Sequence, residues 1–150
     1  MTTPQDLSAA AFNQLFNDAD GIYHDYAKRY KLSETALFLL CTLYESEKPL
    51  TQKALATEWH YPPQTVNSIL KRLKDDGTVR LENVPDDRRS KRIVLTEHGR
   101  ALCAEIVEPL IACEEHAFAQ LSENERRTLL TLTRKYLALL RQEFSTESAQ

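Results

Sequence analysis

The stretch that most constrains this chain runs from residue 61 to residue 96, YPPQTVNSILKRLKDDGTVRLENVPDDRRSKRIVLT. Val66, Ile69, Leu70 and Leu73 recur at helical spacing and predict one buried stripe on a short helix. At about 100° per residue, Gln64, Ser68, Lys71 and Asp75 point the opposite way, with Asn67 and Arg72 on the flanks. Pro62 and Pro63 suit the first helical positions, where a missing N–H costs little. Gly77 suits the residue just past the end. Two β-type runs, 78–82 and 92–95, follow, and the polar stretch 85–91 predicts the turn between them.

Three helices precede or form part of this unit. Ser33 caps a predicted helix over 34–45, whose core face is Leu37, Leu40, Cys41 and Tyr44. Lys48-Pro49 ends it. Thr51 caps the next, over 52–58, with Leu50 placed to staple against Leu55 and Ala54 small enough for a close helix crossing. Trp59-His60-Tyr61 then makes the turn, where His60 either meets a phosphate or faces solvent. Helix, helix, helix and hairpin is the order of a winged helix-turn-helix, in which small polar residues reach base edges and hairpin arginines reach phosphates or the minor groove. The plainer alternative is an ordinary amphipathic helix with a solvated charged turn.

A more specific pattern separates the two. Asp87-x-Arg89-x-x-x-Ile93-x-Leu95-Thr96, followed by Gly99, resembles the wing signature of the MarR family of bacterial and archaeal transcriptional regulators. The resemblance implies a mainly α fold with a small β-hairpin wing, a winged helix-turn-helix carrying N- and C-terminal dimerisation helices. It makes 1–150 a single domain, with 33–96 as the DNA-binding lobe and 1–30 and 97–145 as the dimerisation region. It also implies a homodimer, a repressor by expectation, that places one recognition helix in each half-site of a pseudo-palindromic double-stranded operator. Gln64, Thr65, Asn67 and Ser68 are then the base-reading candidates, and Lys71 and Arg72 the phosphate contacts. In the wing, Arg88, Arg89 and Lys91 face DNA; Arg89 occupies the position of the arginine that enters the minor groove, and Asp87 braces the turn. One departure stands out: the family's usual Ser or Asp cap before the recognition helix is replaced by Tyr61-Pro62-Pro63. Many relatives release DNA when a small aromatic ligand wedges beneath the DNA-binding lobe, and Tyr23, Tyr26, Tyr30 and Tyr44 are the candidates to line such a pocket.

The ends of the chain are helical by pattern. Phe12, Leu15, Phe16, Ala19, Ile22, Tyr23 and Tyr26 mark a helix over 7–30, weakened by Gly21. A long helix over 97–120 carries Ala101, Leu102, Ile106, Leu110 and Ile111 as its stripe, with Pro109 inside it to remove one backbone bond and kink it. Ser122-x-x-Glu125 is a capping box opening the last helix, and residues after 145 are expected to fray. That helix holds Leu129, Leu130, Leu132, Tyr136, Leu137, Leu139, Leu140 and Phe144, too many apolar residues for one face. Its cover must come from several sides, which predicts a partner subunit.

Composition narrows the rest. The net charge is −3, yet 51–100 holds 10 basic and 7 acidic residues, a local +3 in an acidic surround. No apolar run is long enough for a membrane span, and MTTPQDLSAA is not a secretory signal, so the expected place is the cytoplasm, on the nucleoid when DNA is bound. Cys41, Cys103 and Cys113, an odd number, predict buried small hydrophobes rather than disulfides. Two alternatives of the same fold are a thiol switch at one of these cysteines and a metal sensor using Cys113 and His116 with Glu114, Glu115 or His24. With three glycines in all, no phosphate loop, no His-Glu-x-x-His and no visible nucleophile–base pair, no catalytic residue, cofactor or metal is assigned and an enzyme is not expected. An adaptor that uses its winged helix for protein contacts alone is disfavoured by the polar recognition face.

Overall fold

Hydroxyl caps open most of the helices. In the computed structural model, which describes residues 7–85 and 87–147 (87–89 through their backbone alone), the order is α1 (Ala9–Arg29), α2 (Glu34–Glu45), β1 (Leu50–Thr51), α3 (Gln52–Glu58), α4 (Pro63–Asp75), β2 (Val79–Val84), β3 (Asp87–Leu95), α5 (Glu97–Ala119) and α6 (Glu123–Glu147). Ser8, Ser33 and Thr51 accept hydrogen bonds from the N–H groups of Ala11, Ala36 and Ala54, each at 3.1 Å. Ser122 and Glu125 form the reciprocal capping box, the Ser122 N–H donating to the Glu125 carboxylate at 2.7 Å. Hydrogen bonding from Ser122, its side chain first and its backbone second, holds the Glu125 carboxyl below its usual range.

Three turns share one hydrogen-bond pattern. After α1, α3 and α4 the chain reverses through a residue in the left-handed region: Lys31 at φ 57, His60 at φ 53 and Gly77 at φ 74. Each turn has the pair of bonds that defines a Schellman motif, such as Thr78 N–H to Leu73 C=O at 2.8 Å and Gly77 N–H to Lys74 C=O at 3.0 Å. Only the α4 turn uses the residue that adopts this backbone without cost.

Up to Glu108 the chain forms one unit and from Pro109 a second. The core of the first unit joins Leu37, Leu39 and Leu40 of α2, Leu55 of α3 and Val66, Leu70 and Leu73 of α4 to Val79, Ile93 and Leu95 of the sheet. Each such side chain contributes roughly 1.5–3 kcal/mol by leaving water. The face of α5 in this unit is Cys103, Ile106 and Val107, rotated from the expected stripe, so that Ala101 is exposed. The helix passes through Pro109, and the boundary between the two units falls at that residue. In the second unit α6 has no buried residue: Leu129, Leu132, Leu139 and Phe144 are 48–62% exposed.

The sheet is larger than the expected hairpin. Its order is β1-β3-β2, all antiparallel, with the two-residue β1 pairing Leu50 with Ile93 and Thr51 with Arg92. Two residues are too few to show a period-2 signal, which is why this strand is invisible in the sequence. The anticipated 85–91 turn is shorter than expected, because β2 runs to Val84 and β3 already starts at Asp87. Other bounds shift by a residue or two: α1 begins after Ser8 rather than at residue 7, α5 stops at Ala119, and α6 continues to Glu147, past the point where fraying was expected.

Candidate nucleic-acid interface

The outer face of α4 is built by what the inner face buries. Val66, Leu70 and Leu73 are at most 3% exposed. Fixing those three turns Gln64, Asn67, Ser68 and Lys71 to solvent, and all four are exposed. Thr65 is half-buried on one flank. Next to it Arg72 and Ser68 border a cleft of about 150 Å³ shared with Leu32, Ser33 and Ala36 at the start of α2. Arg72 also lies 3.9 Å from Asp76, both more than half exposed, so this ion pair holds the guanidinium only weakly. The missing Ser or Asp cap has a visible consequence. Pro62 stands at the N-cap with no side-chain bond, and its carbonyl accepts from both Thr65 and Val66, at 2.9 and 3.3 Å.

The wing is braced at its base and irregular at its tip. Glu82 takes Arg92 on one carboxylate oxygen at 2.7 Å and Arg80 on the other at 2.9 Å. These two guanidinium groups, Arg92 first, hold the Glu82 carboxyl below its usual range. Lys91 donates to Asn83 across the ladder at 3.0 Å. The next pair in register is Val84 with Asp87, one step along β2 but four along β3. The β3 segment 88–90 therefore falls between two registered pairs, a bulge in the backbone ladder. Asp86 and the side chains of Asp87, Arg88 and Arg89, named from the sequence, lie outside the described residues.

Between α3, with the turn after it, and the wing lies a groove of about 590 Å³. Gln52, Lys53 and Thr57 of α3, Tyr61 and Pro63 form one wall, and Ser90 and Lys91 of β3 face them. Of this set only Lys91 belongs to the DNA-binding candidates that the sequence suggests. The signal for the others lay in β1, since pairing Thr51 with Arg92 draws the start of α3 up to the wing.

An aromatic column ties the turn before α4 to the N-terminal helix. The Trp59 ring stacks on Phe38 at 5.3 Å and 18°, and Phe38 meets Tyr23 of α1 at 5.2 Å. The Trp59 indole N–H donates to the Thr42 hydroxyl at 2.5 Å, and that hydroxyl donates to the Phe38 carbonyl at 2.9 Å. The four tyrosines offered as ligand contacts are thus dispersed among structural tasks. Tyr23 is in the column; Tyr26 packs against Tyr30 at 5.4 Å and donates to the Ile106 carbonyl at 2.7 Å. Tyr44 donates to Glu108, which raises the phenol's pKa, and borders a separate cleft of about 150 Å³.

The cysteines differ in environment. Cys103 is fully buried, and desolvation pushes its thiol up to about 11, the opposite of an activated thiolate. Cys41 is half-buried. Cys113 is exposed, contrary to the expectation that all three are buried. Among the described residues no three His, Cys, Asp or Glu side chains gather as a metal would require, and no helix is long and apolar enough to cross a membrane.

The chain is 32% identical over 114 residues to the HTH-type transcriptional regulator PecS of Dickeya dadantii, covering 73% of this chain and 69% of that one. The model of the MarR family matches residues 30–90. The chain belongs to the MarR family. It is a DNA-binding winged-helix regulator and not an enzyme. It is also 28% identical to the HTH-type transcriptional repressor NicR of Pseudomonas putida, covering 90% of this chain and 87% of that one. The fold is that of Bordetella bronchiseptica BpsR, whose DNA binding is regulated by 6-hydroxynicotinic acid: TM-score 0.70, 22% identity, 91% of this chain and 96% of that one.

Proposed function

We propose that this MarR-family chain is a homodimeric repressor of the cytoplasm. Each protomer sets α4 in a major groove of a pseudo-palindromic operator and its wing in the adjacent minor groove. The observation that carries the DNA-reading part is the outward set Gln64, Asn67, Ser68 and Lys71 beside a bulged arginine-bearing strand. Lobe 33–96 reads DNA, with Thr65 at the helix start, Lys71 and Arg72 on phosphates, and Arg88, Arg89 and Lys91 in the wing. The regions 1–30 and 97–145 dimerise. Support for the dimer is the apolar surface left on α1, where Leu15, Phe16 and Ile22 are 46–70% exposed, and on α6. Repression follows the name borne by NicR.

Release by a small aromatic acid is proposed by analogy with BpsR and 6-hydroxynicotinic acid, with Tyr23, Tyr26, Tyr30 and Tyr44 as the contacts to test. Rings already paired in the free protein must part to admit such a ligand, so binding would be coupled to movement of α1. The experiment is a fluorescence-anisotropy titration against the DNA flanking the protein's own gene, with mass measured in parallel by light scattering. A dimer binding this fragment more tightly than random duplex, with affinity lost in Arg89→Ala, is the expected result. A monomer, or equal affinity for random duplex at every flanking fragment, overturns it.

A further inference from the structure

The first turn of α4 carries base-reading candidates, and little in its own sequence fixes where that turn starts. Pro62 stands at the N-cap with no side-chain bond. The preceding turn runs through His60, a residue with a Cβ, in the left-handed region at φ 53. Side chains that pair with base edges must be held to within about 0.5 Å, a task for the groups packed behind them. Trp59, the C-cap of α3, sits at that place. Its ring stacks on Phe38 of α2 at 5.3 Å, and Phe38 meets Tyr23 of α1 at 5.2 Å. We infer that Tyr23 is a positioning residue for DNA reading, acting through Phe38 and Trp59 on the turn that opens α4. The inference rests on the base-reading placement of α4, and it gives α1 a hand in sequence discrimination.

The column stands apart from the core. Leu37, Leu39 and Leu40, the neighbours of Phe38 on α2, are fully buried, whereas Tyr23, Phe38 and Trp59 are half-buried. Truncating its outermost ring therefore leaves the core in place, and the effect falls on the turn. The Trp59 ring is tied to α2 twice, by the stack on Phe38 and by the indole N–H bond to the Thr42 hydroxyl, which in turn donates to the Phe38 carbonyl. A shift of Phe38 is thus passed to Trp59 rather than absorbed between them. Trp59 passes it on through the backbone, since the next two N–H groups, of His60 and Tyr61, close the turn onto Thr57 and Ala56 of α3 at 3.4 and 3.1 Å. A contiguous packed chain of this kind can carry coupling between distant sites. A ligand that parts Tyr23 from Phe38 would loosen the start of α4 without touching it.

The test uses the full chain, the duplex flanking its own gene and a random-sequence duplex, with the emission of the lone tryptophan, Trp59, as a second readout. Tyr23→Ala should lower the ratio of the two affinities about tenfold, the worth of one misplaced base contact, with the salt slope retained. It should also make Trp59 more open to acrylamide quenching, although Tyr23 reaches that ring only through Phe38. Tyr23→Phe keeps the ring and should restore both readouts. Asn17→Ala, on the exposed surface of α1, should change neither. Phe38→Leu breaks the column while leaving α1 intact, and should reproduce the loss even if Tyr23→Ala alters the mass of the assembly. The double variant should lose no more than the larger single loss. Full discrimination in Phe38→Leu, an equal fall in Asn17→Ala, or additive losses in the double variant overturns the positioning role while the DNA-reading function stands. A parent protein that fails to discriminate between the duplexes overturns the base-reading placement of α4 and the inference with it.

Discussion

Gly99 and Thr78 lie so close that a Cβ on Gly99 would sit 2.0 Å from the Thr78 carbonyl oxygen. The same carbonyl accepts from the Thr96 N–H at 3.1 Å, and the Thr96 hydroxyl donates to the Gly77 carbonyl at 2.6 Å while accepting from the Gly99 N–H at 2.9 Å. This joint locks the start of α5 onto the turn that ends α4. Gly99→Ala must displace backbone, because no rotamer relieves the clash, and should cost about 3 kcal/mol by urea unfolding. Gly21→Ala, in the exposed middle of α1 with nothing within 4 Å, should instead stabilise by about 1 kcal/mol. A loss in both variants would mean that Gly21 is needed for something the free chain does not display.

The same joint explains what the sequence made legible. Thr96 and Gly99 stood in the wing pattern as bare letters; the structure supplies the cap and the close approach behind them. The α4 stripe was readable because Val66, Leu70 and Leu73 obey one period and bury one face. The α5 face was legible in part: Ile106 and Leu110 are buried as the pattern predicts, but Cys103 and Val107 are buried where Ala101 and Leu102 were expected, because the two stripes compete and periodicity cannot rank them. The groove was not readable at all. It depends on β1, two residues whose pairing with β3 is a long-range contact without local pattern.

Trp59, the lone tryptophan, is predicted to hold the turn before α4 by two separable means. Trp59→Phe keeps the stack on Phe38 but loses the N–H bond to Thr42, and should cost about 1 kcal/mol. Trp59→Ala removes both and should cost about 3–4 kcal/mol, the range for a large aromatic truncated in a packed site. Equal losses in the two variants, measured by chemical denaturation, would assign the whole effect to the hydrogen bond.

Lys31 adopts the left-handed backbone at φ 57 in the same hydrogen-bonded turn that Gly77 makes after α4. Relieving that conformation costs some chain entropy in the unfolded state, yet the balance favours glycine. Lys31→Gly should stabilise the fold by about 0.5–1 kcal/mol, read as a higher melting temperature. A lower melting temperature would show that the lysine stem contributes more packing than the turn saves.

Cys103 makes a pH prediction with a definite sign. Burial raises its thiol from 9.0 to about 11, so the folded state holds this proton more tightly than the unfolded chain does. The stability it contributes is present in full below pH 9 and falls as pH rises through about 11, by an order of 2–3 kcal/mol. Other groups titrate in that window, so the measure is the difference between the parent and Cys103→Val, which should lack this component. Ellman's reagent gives an independent check: Cys113 should react at once, and Cys103 only after unfolding. Prompt modification of all three thiols in the native protein would refute the buried assignment.

Gln64 and Lys71 both project from α4, but they should fail differently. Gln64 stands in the first turn, where a recognition helix meets base edges, and its amide can pair bidentately with adenine. Gln64→Ala should therefore lose about 1–3 kcal/mol on the operator and little on random duplex, with the salt slope retained. Lys71 carries a point charge two turns along, suited to a phosphate. Lys71→Ala should weaken operator and random duplex alike and lower the salt slope by about one unit. Anisotropy titrations of both variants on both duplexes separate the roles. Should Lys71→Ala lose affinity on the operator alone, the lysine would be reading a base, and α4 would enter the major groove deeper than its first turn.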